Sequence, residues 1–202
     1  MASATYTPYG FLPYSYYLSA EDSDKIKASP YRLSTAYATA LSKGDVVRLS
    51  GGYVIKSTAA ADLTTAHRGV FAGVKYIDTT GTVQELDYWA PNTQTMAGTV
   101  IQANVYDDPF IIYKAMYNSS TGIQFTAQGK NLPLSAGTAT PAGSTFGVTA
   151  NPQVTQYFDT KLVGIVNDEW STVGPSGQTF SYPDVLVILN NHDIKIATLG
   201  VI

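Results

Sequence analysis

The chain of 202 residues contains no cysteine, which excludes disulfides, thiolate nucleophiles and cysteine-ligated metals together. Charge is scarce: Asp, Glu, Lys and Arg make up 13% of the residues, about half the share usual for a soluble domain. The formal net charge is −3 and the basic residues form no block. Phosphate backbones are held by clustered Lys and Arg that displace counterions, so this distribution argues against a nucleic-acid partner. No apolar run approaches the roughly 18 to 20 residues a membrane-spanning helix needs. The N-terminus lacks a basic stretch followed by an apolar one, so neither a membrane span nor a standard secretory signal is expected. The simplest expectation is a soluble, unprocessed protein made in the cytosol. Convincing helical periodicity is missing as well, apart from one short Ala-rich candidate over 59–67.

What the chain does hold is apolar and aromatic. Hydrophobic residues reach 45% and aromatic residues 12%, enough at this length to bury a core without a metal or disulfide staple. Such a composition, with so little charge, suits a surface partly covered by partners; a compact monomer rich in Thr and Ser would look the same. Strand signals begin near residue 43, where β-branched and aromatic residues concentrate over 45–49, 53–56 and 69–77. Residues 99–106 alternate, with Ile101, Ala103 and Val105 on one face and Gln102, Asn104 and Tyr106 on the other. Gly81 marks a hairpin joining 70–77 to 82–89, and Asp107-Asp108-Pro109 marks a turn before a strand over 110–117. Strands resume at 161–166 and 184–189, the second continuously apolar as in a strand covered on both faces. Residues 128–152 are rich in Gly, Ala, Ser, Thr and Pro and read as loops with Phe146 as their anchor. The fold class expected is all-β, a sandwich or barrel of short antiparallel strands over 41–202.

Residues 1–40 differ in character. Tyr6, Tyr9, Tyr14, Tyr16, Tyr17, Tyr31 and Tyr37 place nearly half of the fifteen tyrosines there, interrupted by Pro8, Pro13 and Pro30. This reads as an extended arm that gains order on another surface, since Tyr buries a large ring while its hydroxyl finds a polar partner. A segment folded back onto the chain's own core stays open as the alternative. The apolar end from Ile194 to Ile202 is expected to pair with a sheet or a neighbour.

Catalytic chemistry finds little to use. Only His67 and His192 are available as a base, and no Gly-x-Ser-x-Gly elbow accompanies them. Each reads as a histidine in a surface turn or at a strand entrance. Glycosidases set two carboxyls roughly 5 to 9.5 Å apart across a sugar. Asp107-Asp108 and Asp168-Glu169 are sequence neighbours that point apart in an extended strand. They read as turn formers or as partners of basic groups. The acidic residues follow no calcium-loop spacing, and the glycines form no phosphate-cradling fingerprint. No catalytic residue, metal or cofactor is expected. Trp89 and Trp170 are the residues that could stack on sugar rings, although the end of a strand more often places Trp89 as a core cap.

The ordered motifs Tyr9-Gly10-Phe11-x-Pro13, Gly44-Asp45-Val46-Val47, Gly69-Val70-Phe71-x-Gly73-Val74-x-Tyr76, Tyr88-Trp89 and Asp107-Asp108-Pro109 resemble those of tailed-bacteriophage head decoration (cement) proteins. The resemblance covers roughly residues 9–117 and extends more weakly to the C-terminal apolar strand with Asn190-Asn191-His192. It implies a virion structural protein without enzymatic activity, often trimeric. Such a protein is assembled in the host cytoplasm and bound to the capsid exterior, where it bridges neighbouring capsomers of the major capsid protein. Tyr6, Tyr9, Phe11, Tyr14, Tyr16, Tyr17 and Ile202 are then the candidate capsid- or subunit-binding residues. Deleting residues 1–20 is expected to abolish capsid binding and leave the β-domain folded. Two other classes remain: a fibre or host-attachment module binding surface glycans through Tyr88, Trp89 and Trp170, and a β-architecture enzyme with two convergent carboxylates.

Overall fold

A computed structural model describes residues 8–17, 19–22, 26–57, 66–118, 123, 125–135, 137–149, 158–166 and 183–194, with side chains for all but 19–22 and Phe125. Their architecture is all-β, as the alternation and turn signals predict. Two β layers pack against each other through a common core.

The first layer is a small closed barrel. β3 (Ser29–Leu33) pairs with β6 (Tyr53–Lys56), β6 with β5 (Val46–Ser50), β5 with β7 (Gly69–Ile77) and β7 with β10 (Ile101–Tyr106), which returns to β3. Closure removes the free edges that an open sheet would present. β7 turns through Asp78 to Gly81 into β8 (Val83–Leu86), the hairpin expected from Gly81, whose φ is +85°. β4 (Leu41–Ser42) and β9 (Tyr88–Trp89) pair across one end. Ile101, Ala103 and Val105 point into the barrel core with Val47, Phe71, Val74 and Trp89, so the face read from alternation is the buried one.

The second layer is a sheet in the order β12 (Asn131–Leu132), β17 (Thr160–Ile165), β18 (Asp184–Leu189), β11 (Ile111–Asn118), β1 (Leu12–Tyr16) and β2 (Ser19–Asp22). β16 (Gly147–Thr149) runs parallel to the end of β11 and carries β13 (Leu134–Ser135). β14 (Ala139–Thr140) and β15 (Gly143–Ser144) form a separate small hairpin. The two layers pack through the period of two in β5 and β7. Val47 and Phe71 face the barrel interior, while their neighbours Val46 and Val70 face outward into the core of the second sheet, against Phe11, Tyr113, Phe146 and Val187.

The described part of the expected arm belongs to this domain, which corrects the boundary at residue 40. β1 sits between β2 and β11 inside the second sheet, and β3 is a barrel strand. The physical reason is Phe11. Its ring is fully buried, edge-on to Tyr113 at 6.1 Å between centroids, and ladder bonds hold the residues that follow it. Gly10 makes the approach possible. Its φ is +89°, and a Cβ there would meet Ser144 Cβ at 2.8 Å and Gly44 Cα at 2.9 Å, so only glycine fits. Gly10 N donates to Phe146 O and Phe11 N to Gly44 O, tying the N-terminal segment to both layers.

The 128–152 region, expected as loops, contains β12 to β16 as short strands, and Phe146 is its fully buried anchor. β18 is buried on one face only: Val185, Val187 and Leu189 are sealed, while Asp184, Leu186 and Ile188 are half-buried. Most of the short helix expected over 59–67, and the chain from 195 to Ile202, lie outside the described residues.

Candidate functional site

The structure assembles a polar chain that the sequence does not announce. Ser57, His67 and Asp159 are all buried, with no more than 2% of any of them exposed. Ser57 Oγ lies 3.0 Å from His67 Nδ1, and His67 Nε2 lies 2.9 Å from Asp159 Oδ1. A carboxylate only accepts, so the proton belongs on Nε2 and Nδ1 accepts from the serine hydroxyl. The residue types are those of a hydrolytic triad, but the ring is reversed relative to the working arrangement, in which the serine faces Nε2. Burial also leaves the serine with no approach for a substrate. What the chain does is join layers. His67 N donates to Asn191 O at 2.7 Å, Asp193 N to His67 O at 2.9 Å and Asn190 N to Asp159 O at 2.8 Å. The strand entrance before β7 is thereby bonded to the ends of β17 and β18.

His67 and His192 are both buried, which corrects the reading of His192 as a surface-turn histidine, while His67 stands at the entrance to β7 as expected. They lie side by side in a parallel bridge, so the residues that follow them also meet. Arg68 Nη1 donates to Asp193 Oδ1 at 3.0 Å and to Oδ2 at 3.1 Å. The one available sequence signal was this pair of histidines, each followed by a charge, with the two charges opposite in sign. Arg68 also donates to Tyr31 Oη, and Tyr31 donates to Asp107. Burial first, and then the Asp107 hydrogen bond, push the Tyr31 phenol above its ordinary pKa. Asp107 therefore serves Tyr31, Ser29 and Arg68, while Asp108 accepts from Phe110 N at 2.8 Å. The two carboxylates close a turn and bind a basic partner, as their adjacency predicts, and they do not converge. Among the described residues no cluster of three or more His, Asp or Glu is placed to hold a metal ion. Asp168 and Glu169 lie outside them.

Trp89 is fully buried, edge-on to Tyr76 at 5.6 Å between centroids, and its Nε1 donates to Tyr37 O at 3.2 Å. It is the core cap, and no sugar can stack on it. Tyr88 is half-buried, and Trp170 lies outside the described residues. A separate open pocket of about 420 Å³ is lined by the neutral hydroxyls and amides of Thr35, Asn92, Thr93, Gln94 and Thr95, with Met96 and two alanines as its apolar side chains.

The candidate binding tyrosines divide sharply. Phe11 is core, which removes it from the contact set. Tyr9 donates its hydroxyl to Asp184 Oδ1 at 2.7 Å, and Tyr16 packs partly against the second core. Tyr14 and Tyr17 remain open to solvent, at 50% and 55% exposure. Tyr6 and Ile202 lie outside the described residues. Beside these stand two exposed residues not singled out from the sequence: Leu12, on the same strand, and Phe110, 45% exposed at the turn before β11. Tyr17 N donates to Phe110 O at 2.8 Å, which sets Phe110 beside Tyr17 rather than simply at the start of a strand. Tyr17 and Phe110 line an open groove of about 450 Å³ over β17 and β18, together with Gln128, Lys161, Val163, Ile188 and Asn190.

Comparison of the chain with protein-family models, with curated proteins and with solved structures finds no match.

Proposed function

We propose that this chain is a virion structural protein that binds the outside of a capsid shell, bridges neighbouring capsomers and stabilises the head. The observation carrying the reading is the coexistence of a sealed polar interior with large apolar side chains left in solvent at Leu12, Tyr14, Tyr17 and Phe110. A contact protein needs area rather than a reactive group. A half-exposed aromatic ring offers on the order of 100 Å², so three such rings give about 300 Å² and, at about 25 cal/mol per Å², about 7 kcal/mol before ordering costs. Repetition over a shell multiplies a modest contact into lasting attachment. The partner is the major capsid protein, and the location is the virion exterior after assembly in the host cytoplasm.

The test is co-sedimentation of the purified protein with shells of the major capsid protein from the particle that carries it. A Leu12→Ser, Tyr14→Ser double variant is expected to stay folded and to lose most of the shell-bound fraction. Wild-type protein that leaves such shells bare would overturn the reading.

A second reading, a glycan-attachment module, has one feature in its favour: the neutral pocket of Thr, Asn and Gln side chains. Binding on a glycan array that Asn92→Ala and Gln94→Ala remove would select it over the shell clamp.

A further inference from the structure

Two recesses at one end of the barrel run together. The open pocket of the 92–98 loop shares Thr35 with a smaller one of about 140 Å³, which lies over the seam between β3 and β6 and takes in Arg32, Tyr53, Thr99 and Val100. The seam exists because β3 meets β6 at one register pair, Arg32 opposite Tyr53. Gln102 stands opposite Arg32 on the other side. Leu33 packs in the barrel core, so the alternation of the strand turns Arg32 outward, between Tyr53 and Gln102. Among the described residues lining the two recesses, Arg32 is the one that carries a charge. Lys43, Lys56, Arg68, Lys75 and Lys114 each have a carboxylate partner, whereas Arg32 is exposed and has none among the described residues.

We propose that this joined recess binds an acidic oligosaccharide, with Arg32 holding a carboxylate of the sugar and the hydroxyl and amide groups of the 92–98 loop holding its ring hydroxyls. The larger pocket, about 420 Å³, has the size of a small-molecule site. Its polar lining is neutral and can both donate and accept, as the hydroxyls of a sugar ring require. Asn92 is exposed and keeps its side-chain amide free of bonds to the described residues. The loop itself is tied in place. Thr93 Oγ1 donates to Ala90 O at 2.7 Å, Gln94 Nε2 to Asn92 O at 3.1 Å, Met96 N to Ile77 O at 2.9 Å and Thr99 Oγ1 to Met96 O at 2.6 Å. A ligand therefore meets groups that are already ordered, which lowers the entropic cost of holding it. Tyr53 and Val100, 42% and 59% exposed, line the same recess as Arg32 and offer apolar surface to the C–H face of a pyranose. One guanidinium matches one carboxylate, which it can grip with two parallel N–H bonds. A phosphate monoester carries nearly twice that charge, and no second cation among the described lining residues would match the excess.

Sugar binding of this kind is independent of attachment to a shell. It rests on the sugar reading of the 92–98 pocket and adds to it the class of saccharide. Val100 precedes β10 and Phe110 follows it, so the recess lies at the opposite end of that strand from the Tyr17–Phe110 groove. The two ends, Ile101 and Tyr106, are about 17 Å apart at roughly 3.3 Å per residue. The experiment probes the labelled full chain against an array of oligosaccharides, with trigalacturonic acid and sialyllactose among the acidic members and lactose among the neutral ones. Calorimetry then compares the best acidic member with its methyl ester, which keeps the ring hydroxyls and loses the charge. The acid is expected to bind about tenfold or more tightly than the ester, the usual worth of a hydrogen bond to a charged group. Arg32→Gln is expected to bind acid and ester alike, and Arg32→Lys to recover part of the preference. Asn92→Ala is expected to weaken both ligands, and circular dichroism checks that the variants fold. Equal binding of acid and ester by wild type, or an acid preference that survives Arg32→Gln, would overturn the role of Arg32 and leave a neutral-sugar pocket standing. An array with no bound member would remove the pocket reading as well, and binding of polyglutamate without any saccharide would refute the sugar as occupant. Failure of shell binding in the co-sedimentation assay would touch only the proposed function.

Discussion

Replacing Phe11 with alanine separates a residue built into the domain from one belonging to an arm. The ring is fully buried, stands edge-on to Tyr113 and packs in the same core as Val46 and Val70 from the barrel. Its loss removes contacts from both layers at their junction, where the crossing of Gly10 over Gly44 restricts relaxation into the space left behind. Phe-to-Ala changes in such settings cost about 3 to 5 kcal/mol. For a chain of this size each kcal/mol moves the midpoint of thermal unfolding by about 2 to 4 °C, so Phe11→Ala is expected to lower it by roughly 6 to 20 °C. Tyr14→Ala serves as the control, since its side chain is half in solvent, and it should stay within about 0.5 kcal/mol of wild type. The assay is calorimetry or circular dichroism melting, with urea unfolding to convert midpoints into free energies. A Phe11→Ala protein as stable as the control would refute the placement of this segment in the core. The same reasoning reverses the expectation for deleting residues 1–20. That truncation takes away β1 and Phe11 together and is expected to unfold the second sheet rather than yield an intact domain without its grip.

Asp159→Ala leaves the buried His67 Nε2–H and the Leu134 amide without their acceptor, and the cost expected from leaving buried donors unsatisfied is about 1 to 3 kcal/mol each. Glu85→Gln at the exposed Lys75 pair should cost no more than about 1 kcal/mol by the same urea titration; equal effects would contradict the sealed clasp. Asp78 accepts from the Thr80 hydroxyl, from Gln84 and from the Thr82 and Thr80 amides, and these bonds hold its carboxyl down to about 2 from 3.8. Because the folded value is depressed, the stability this turn contributes is present above the unfolded value and is lost as pH falls through about 2. Carboxyl-carbon NMR should show that midpoint, and Thr80→Ala with Gln84→Ala should raise it; an unmoved midpoint would remove the hydrogen bonds as its cause.

The parts of the fold visible in the sequence are those decided by near neighbours. β10 alternates because one face is the barrel core, Gly81 supplies the left-handed turn residue of the β7–β8 hairpin, and Phe146 stands out in a region of small residues. Trp89 as a cap follows from its position at a strand end. What stayed hidden depends on partners distant along the chain. Nothing near His67 signals that a carboxylate 92 residues away will meet its ring, or that Asp193, 125 residues on, will bond Arg68. β3 was concealed by Pro30, which reads as a breaker yet lies within a strand of the barrel. Phe11 and Tyr14 carry similar chemistry in sequence. Their opposite fates follow from the close crossing at Gly10, which seats Phe11 in the core, and from the irregular register between Pro13 and Ser15 in β1, which passes over Tyr14.

The position of β1 also bears on how the chain is made. All five barrel strands lie between residues 29 and 106, so the barrel can close while the rest is still being synthesised. β1 has to wait for β11, and the sheet that holds both is unfinished until β18, at residues 184–189, has left the ribosome. Contacts that span so much chain form slowly. During that interval Phe11 and its tyrosine neighbours stand in water beside an unpaired strand edge, the condition under which nascent chains aggregate or recruit chaperones. Among the described strands, β1 emerges before the others and is among the last to be placed.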